Sequence, residues 1–77
     1  MERATNGFGA RRFGAYLKRV RESRRLSLDA VEEASSIYPE PLTKSHLSRI
    51  ENGRATPSFT RLFALGQIYG VPVGAMA

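Results

Sequence analysis

Apolar residues along this chain recur three and four positions apart and never alternate over a sustained stretch. That spacing predicts helices and no strands. Phe13, Tyr16, Leu17 and Val20 stand at i, i+3, i+4 and i+7, one face of a helix over roughly 10–24. Ser27 is a good N-cap, and Leu28, Val31 and Ala34 follow at three-residue spacing, giving a short helix over about 28–35. Pro39 and Pro41 keep residues 36–42 out of a helix. Thr43 caps a third helix over about 43–52 with Leu47 and Ile50 inward, and Asn52-Gly53 ends it. Thr56-Pro57-Ser58 opens a fourth over about 58–69, with the proline in a first-turn position and Gly70 as its stop. Its expected core face is Phe59, Leu62, Phe63, Gly66 and Tyr69. The fold class is all-α. Residues 1–9 hold Asn6-Gly7 and little apolar content, so we expect a flexible N-terminal tail followed by one domain over 10–77.

Charge changes the picture because it is uneven. The 77 residues carry 12 Lys+Arg and 7 Asp+Glu, a formal net charge of +5. Eight of the basic residues and only two of the acidic ones fall within 1–26. Residues 27–53 hold two basic and five acidic side chains. A basic patch must therefore combine the N-terminal segment with Lys44, Arg49 and Arg54, and it points first to a nucleic-acid partner. Asp29, Glu32 and Glu33 fall early in the second helix, where carboxylates suit the dipole, and read as structural.

Composition excludes more than it suggests. With no cysteine there is no disulfide framework, thiolate metal site or cysteine nucleophile. The single histidine, His46, lacks partners for a metal site. It either touches a nucleic-acid partner, packs against its own domain or faces solvent. The longest apolar run, Leu62-Phe63-Ala64-Leu65, is far short of a membrane span, and the basic N-terminus has no apolar core of a secretory signal. Gly7-Phe8-Gly9 begins like a dinucleotide loop but lacks its third glycine. Gly9 and Gly14 have phosphate-loop spacing, yet Ala15 stands where lysine is required. We expect no enzyme, no cofactor and no bound metal, and a cytoplasmic, nucleoid-associated protein.

The segments Leu17-Lys18-Arg19-Val20-Arg21-Glu22, Leu26-Ser27-Leu28, Ser45-His46-Leu47-Ser48-Arg49-Ile50-Glu51-Asn52-Gly53-Arg54 and Thr56-Pro57-Ser58 resemble the Cro/lambda-repressor-like helix-turn-helix family. This family is also called the xenobiotic-response-element (XRE) type. The resemblance covers about residues 13–73 and implies a compact four- to five-helix domain whose third helix enters the DNA major groove. It implies sequence-specific binding of double-stranded DNA by a transcriptional regulator, a repressor acting as a homodimer on a two-fold operator. Lys44, Ser45 and Arg49 match the family's three base-contacting positions, with Ser48 a second-rank candidate beside them; Arg49 suits guanine O6 and N7. Ser27 and Thr43 cap helices whose free N–H groups hold phosphates, and Asn52 and Arg54 match a backbone clamp. The matching Arg21 and Glu51 form a partly buried ion pair in the family.

Two departures stand out. The turn between the second and third helices spans Ser36 to Leu42, longer than the family's usual three or so residues. Tyr38 on it either covers the core or reaches toward flanking phosphate, and Glu40 should tilt away from DNA. After Val71 only a short tail remains, either a stub of a fifth helix or the N-terminal piece of a longer regulator. Ala64 and Ile68 lie off the expected core face of the fourth helix. With Val73 and Met76, Ile68 is an expected dimer contact. A rival function is a protein-interaction module on the same fold, as in bridging factors and antitoxins resembling this family.

Overall fold

The computed structural model describes the backbone of residues 2–72 and the side chains of residues 9–72. It contains four helices in the order α1 (Glu2–Ser23), α2 (Leu28–Ser35), α3 (Lys44–Glu51) and α4 (Phe59–Tyr69), with no strand among the described residues. The expected dimer contacts Val73 and Met76 lie outside the described residues. Helix α1 packs on α3, α3 on α2, and α2 on α4. Leu17, Val31, Leu42, Leu47, Ile50, Leu65 and Tyr69 form the core where the four meet.

Helix α1 starts well before the apolar spacing that defines its inner face. Its backbone is helical through residues 2–9, the stretch expected as a tail. Extending an existing helix adds a hydrogen bond for each residue fixed, so a core-facing stripe is not required there. Helices α2, α3 and α4 are capped by Ser27, Thr43 and Ser58, whose hydroxyls accept from the backbone N–H of Ala30, His46 and Arg61. Pro57 thus lies just outside α4 rather than in its first turn, and Ser58 does the capping.

Two inner faces differ from the spacing argument. In α2 the buried residues are Val31 and Ser35, while Ala34 points to solvent. Ser35 is wholly enclosed because its hydroxyl accepts from Leu42 N–H at 2.9 Å and bonds the Glu32 carbonyl at 2.8 Å. The bond to Leu42 N–H folds the 36–42 segment back, so Leu42 enters the core rather than the loop protruding throughout. In α4 the buried side is Ala64, Leu65, Gly66 and Tyr69, whereas Phe59 is 72% and Phe63 45% exposed. Ile68 packs against the core. A helix apolar nearly all round leaves the choice of face to packing, and α4 turns the side carrying Leu65 and Tyr69, with small Ala64 and Gly66 beside them, inward. Ala64 and Ile68 are therefore core, and the outward apolar pair is Phe59 and Phe63.

Helix α1 ends in the left-handed conformation at Arg25, with φ of 58°. Arg25 N–H bonds Glu22 O at 2.9 Å and Leu26 N–H bonds Arg21 O at 3.2 Å, the paired closure of a Schellman turn. The same closure after α3 uses Gly53, with Gly53 N–H on Ile50 O and Arg54 N–H on Arg49 O. A side chain at positive φ costs about 1–2 kcal/mol. Arg25→Gly should therefore stabilise the fold by about 1 kcal/mol, raising the thermal midpoint by about 4–8 °C. Arg25→Ala removes the same charge but keeps the Cβ, and should give no such rise in a melting experiment.

Candidate nucleic-acid interface

Helix α3 divides its side chains cleanly. Leu47, Ile50 and Glu51 are buried, while Lys44, Ser45 and Arg49 are exposed and Ser48 is partly so. The successive 100° steps of a helix put Lys44, Ser45, Ser48 and Arg49 on one arc facing away from Leu47 and Ile50. The Thr43 hydroxyl holds the His46 N–H at 3.1 Å, and the Thr43 carbonyl takes Leu47 N–H. The Lys44 and Ser45 amides are left without an intrahelical acceptor, at the positive end of the helix dipole. Ser27 occupies the equivalent place on α2, exposed and bonded to Ala30 N–H at 3.0 Å.

Lys44 and Asp29 form an ion pair of 3.1 Å between the first turns of α3 and α2. The packing of α2 on α3 therefore brings the two helix N-termini to one edge of the molecule, with Ser27 and Thr43 leading into it. Sequence spacing alone gave Asp29 only a dipole role. No local rule links residues so far apart, and the pairing follows from the packing of α2 on α3 rather than from spacing.

At the other end of α3, Asn52 turns back on the helix. Its Nδ2 donates to Ser48 O at 2.9 Å and Ser48 Oγ at 3.4 Å. This couples Asn52 to the Ser48 hydroxyl and occupies part of the amide expected to clamp phosphate. Arg54 is exposed just beyond. Gly53, at φ of 75°, lies against α1: a Cβ built there would stand 2.8 Å from Arg11 Cα. Arg11 and Arg54 thus flank the same glycine contact, and Arg49 precedes it by one turn.

Part of the basic N-terminal segment has a different use. Arg21 is only 8% exposed, with Nε donating to Glu51 Oε2 at 2.6 Å and Nη2 to Oε1 at 3.0 Å. Its Nη1 donates to the Leu26 carbonyl at 2.8 Å. The hydrogen bond to Glu51 outweighs desolvation and raises the Arg21 pKa further, so the guanidinium stays charged. Tyr69 is held protonated beside this pair, its pKa pushed up to about 12 by burial and then by the Glu51 charge. Arg24 donates to the Tyr69 carbonyl at 2.7 Å, tying the end of α1 to the end of α4. These two arginines stabilise helix junctions.

The remaining polar groups lie toward α4. His46 is partly buried with its Nε2 enclosed, and burial, followed by the Arg61 and Arg49 charges, lowers its pKa. That favours packing over DNA contact for this residue. Glu40 accepts from the Ser58 hydroxyl at 2.8 Å and lies 3.9 Å from Arg61 Nη1, while Arg61 Nη2 donates to Pro41 O at 3.4 Å. The proline loop is fastened to the start of α4 by these contacts, which fixes Glu40 there. Tyr38 is partly buried on the same loop, and its N–H bonds Ser35 O.

Among the described residues no cluster of three His, Cys, Asp or Glu side chains could hold a metal ion. Nor is any helix among them long and apolar enough to cross a membrane. Comparison with curated proteins and with solved structures gave no match. A family model described as a helix-turn-helix domain matches residues 12–77, most of the chain, and this family points to DNA binding rather than catalysis. The α2–α3 pair with its polar outer arc lies within that match, and the chain belongs to the helix-turn-helix domain family.

Proposed function

We propose that this chain is a sequence-specific double-stranded DNA-binding transcriptional regulator of the lambda-repressor-like type, a repressor that inserts α3 into the major groove. The observation that carries this reading is the outer arc of Lys44, Ser45, Ser48 and Arg49 on a helix whose other side is core. A groove-reading helix needs an exposed arc with hydrogen-bonding side chains, and its first-turn amides suit phosphate. Arg49 donates in pairs to guanine O6 and N7, Lys44 donates to a guanine edge, and Ser45 and Ser48 contact bases at shorter reach. Ser27, Thr43, Asn52 and Arg54 bind phosphates and set the register. Such a protein works in the cytoplasm at the nucleoid.

One domain with three or four reading side chains selects too few base pairs for a genomic site, so the protein acts as a homodimer on a two-fold operator. Its half-site centres then lie about 34 Å apart, one DNA turn. The exposed Phe59 and Phe63 also keep a second reading in view, that of a protein-interaction module.

Selection of bound sequences from random duplexes, followed by salt titrations of two variants, tests the proposal. Arg49→Ala should cost roughly 1–3 kcal/mol on the selected site and relax preference at one position per half-site. Arg54→Ala should weaken all duplexes alike and lower the salt slope by about one. Equal losses from both variants on selected and random DNA would remove Arg49 from the base-reading set. Absence of any DNA binding would favour the interaction module.

A further inference from the structure

The Lys44–Asp29 pair places a carboxylate at the edge where a polyanion is expected. Asp29 lies in the first turn of α2 and Lys44 is the first residue of α3. The Nζ to Oδ1 distance is 3.1 Å, and both side chains are more than half exposed. Among the described residues neither makes another ion pair or side-chain hydrogen bond. A carboxylate is an acceptor only, so among the groups that DNA presents it finds donors in base amino groups and none in phosphates. Every phosphate that approaches Lys44 competes with a charge already in place.

We propose that Asp29 is a specificity-determining residue that tethers the Lys44 ammonium, withholding it from phosphates and presenting it to base edges. The proposal deepens the DNA-binding reading of α3 and rests on it. An ammonium has three donors. With one held by Asp29, the others still reach guanine O6 and N7, so the pair survives at a matched site. At unmatched DNA a phosphate that reaches the paired ammonium is also brought beside the Asp29 carboxylate, whose like charge repels it, and the sequence-independent part of binding loses the benefit of one cation. Asp29 thereby lowers non-cognate affinity more than cognate affinity. An exposed pair is modest in strength, so the effect is a factor of about three to five.

Asp29→Asn keeps the size and first-turn compatibility of the side chain and removes its charge. Binding of the wild-type chain, Asp29→Asn, Lys44→Ala and the double variant is measured on the selected duplex and on a random-sequence duplex across salt concentrations. Asp29→Asn should tighten random-duplex binding about three- to fivefold and steepen its salt slope by about one. Binding to the selected duplex should change less, so the ratio of the two affinities falls. In the Lys44→Ala background, Asp29→Asn should leave the slope unchanged. An unchanged affinity ratio, or an equal gain with and without Lys44, overturns the tether while leaving DNA binding in place. A wild-type chain that binds neither duplex overturns the DNA-binding reading itself, and the tether with it.

Discussion

Glu51→Gln should cost about 3–5 kcal/mol of folding stability, because it leaves the buried Arg21 guanidinium without its counter-charge. The pair is bidentate, at 2.6 and 3.0 Å, between residues 8% and 9% exposed. Arg21 also holds the Leu26 carbonyl, so the same side chain joins α3 to the end of α1. A small domain has about 5–15 kcal/mol of stability in total, so the variant should lose a large share of it and unfold at a much lower denaturant concentration. Replacing both partners with methionine removes the stranded charge and should recover much of the loss, since a buried ion pair and an apolar pair are often close in energy. Denaturant unfolding of the three proteins measures this. An undiminished midpoint for Glu51→Gln would mean that the carboxylate charge contributes nothing to the fold.

Gly14→Ala should be comparably severe, at about 3 kcal/mol or more. Helix α1 crosses α3 at this residue. A Cβ there would overlap the Ile50 carbonyl oxygen and stand 2.7 Å from that of Glu51. Both obstacles are backbone at the end of a helix, so no rotamer change relieves them and the helices must move apart. Separation also lengthens the nearby Arg21–Glu51 bonds, so effects at Gly14 and Glu51 should couple in a double-mutant cycle. Gly9 on the same helix has nothing within 4 Å of a built Cβ, so Gly9→Ala should be neutral or mildly stabilising through helix propensity. Equal melting temperatures for Gly14→Ala and Gly9→Ala would contradict the close crossing.

The two helices that carry the expected site were the most legible part of the chain. Ser27 and Thr43 announce α2 and α3 by cap chemistry, and Gly53 marks the end of α3 by the left-handed turn it adopts. Leu47 and Ile50 fix which side of α3 is buried, and so which side chains remain outside. Helix α4 was not legible in the same way. Its apolar residues surround the axis, and only packing decides that Ala64 and Leu65 go inward while Phe59 stays out. Contacts between distant segments were also hidden, since neither Asp29 with Lys44 nor Glu40 with Ser58 follows from local spacing. Arg24 illustrates the same limit, since it counts toward a positive patch in the sequence yet bonds the Tyr69 carbonyl at a helix junction. The Arg21–Glu51 pair, by contrast, is the one distant contact that the family resemblance implied and the structure contains.

The claim that α3 reads the major groove is tested most directly by methylation interference on the selected duplex. Methylating guanine N7 fills the acceptor position that Arg49 or Lys44 would use, whereas methylating adenine N3 alters only the minor groove. The account predicts that N7 methylation of one or more guanines in each half-site abolishes binding, with adenine N3 methylation there tolerated. Binding that withstands N7 methylation throughout the site, or that is lost only on minor-groove methylation, would contradict it.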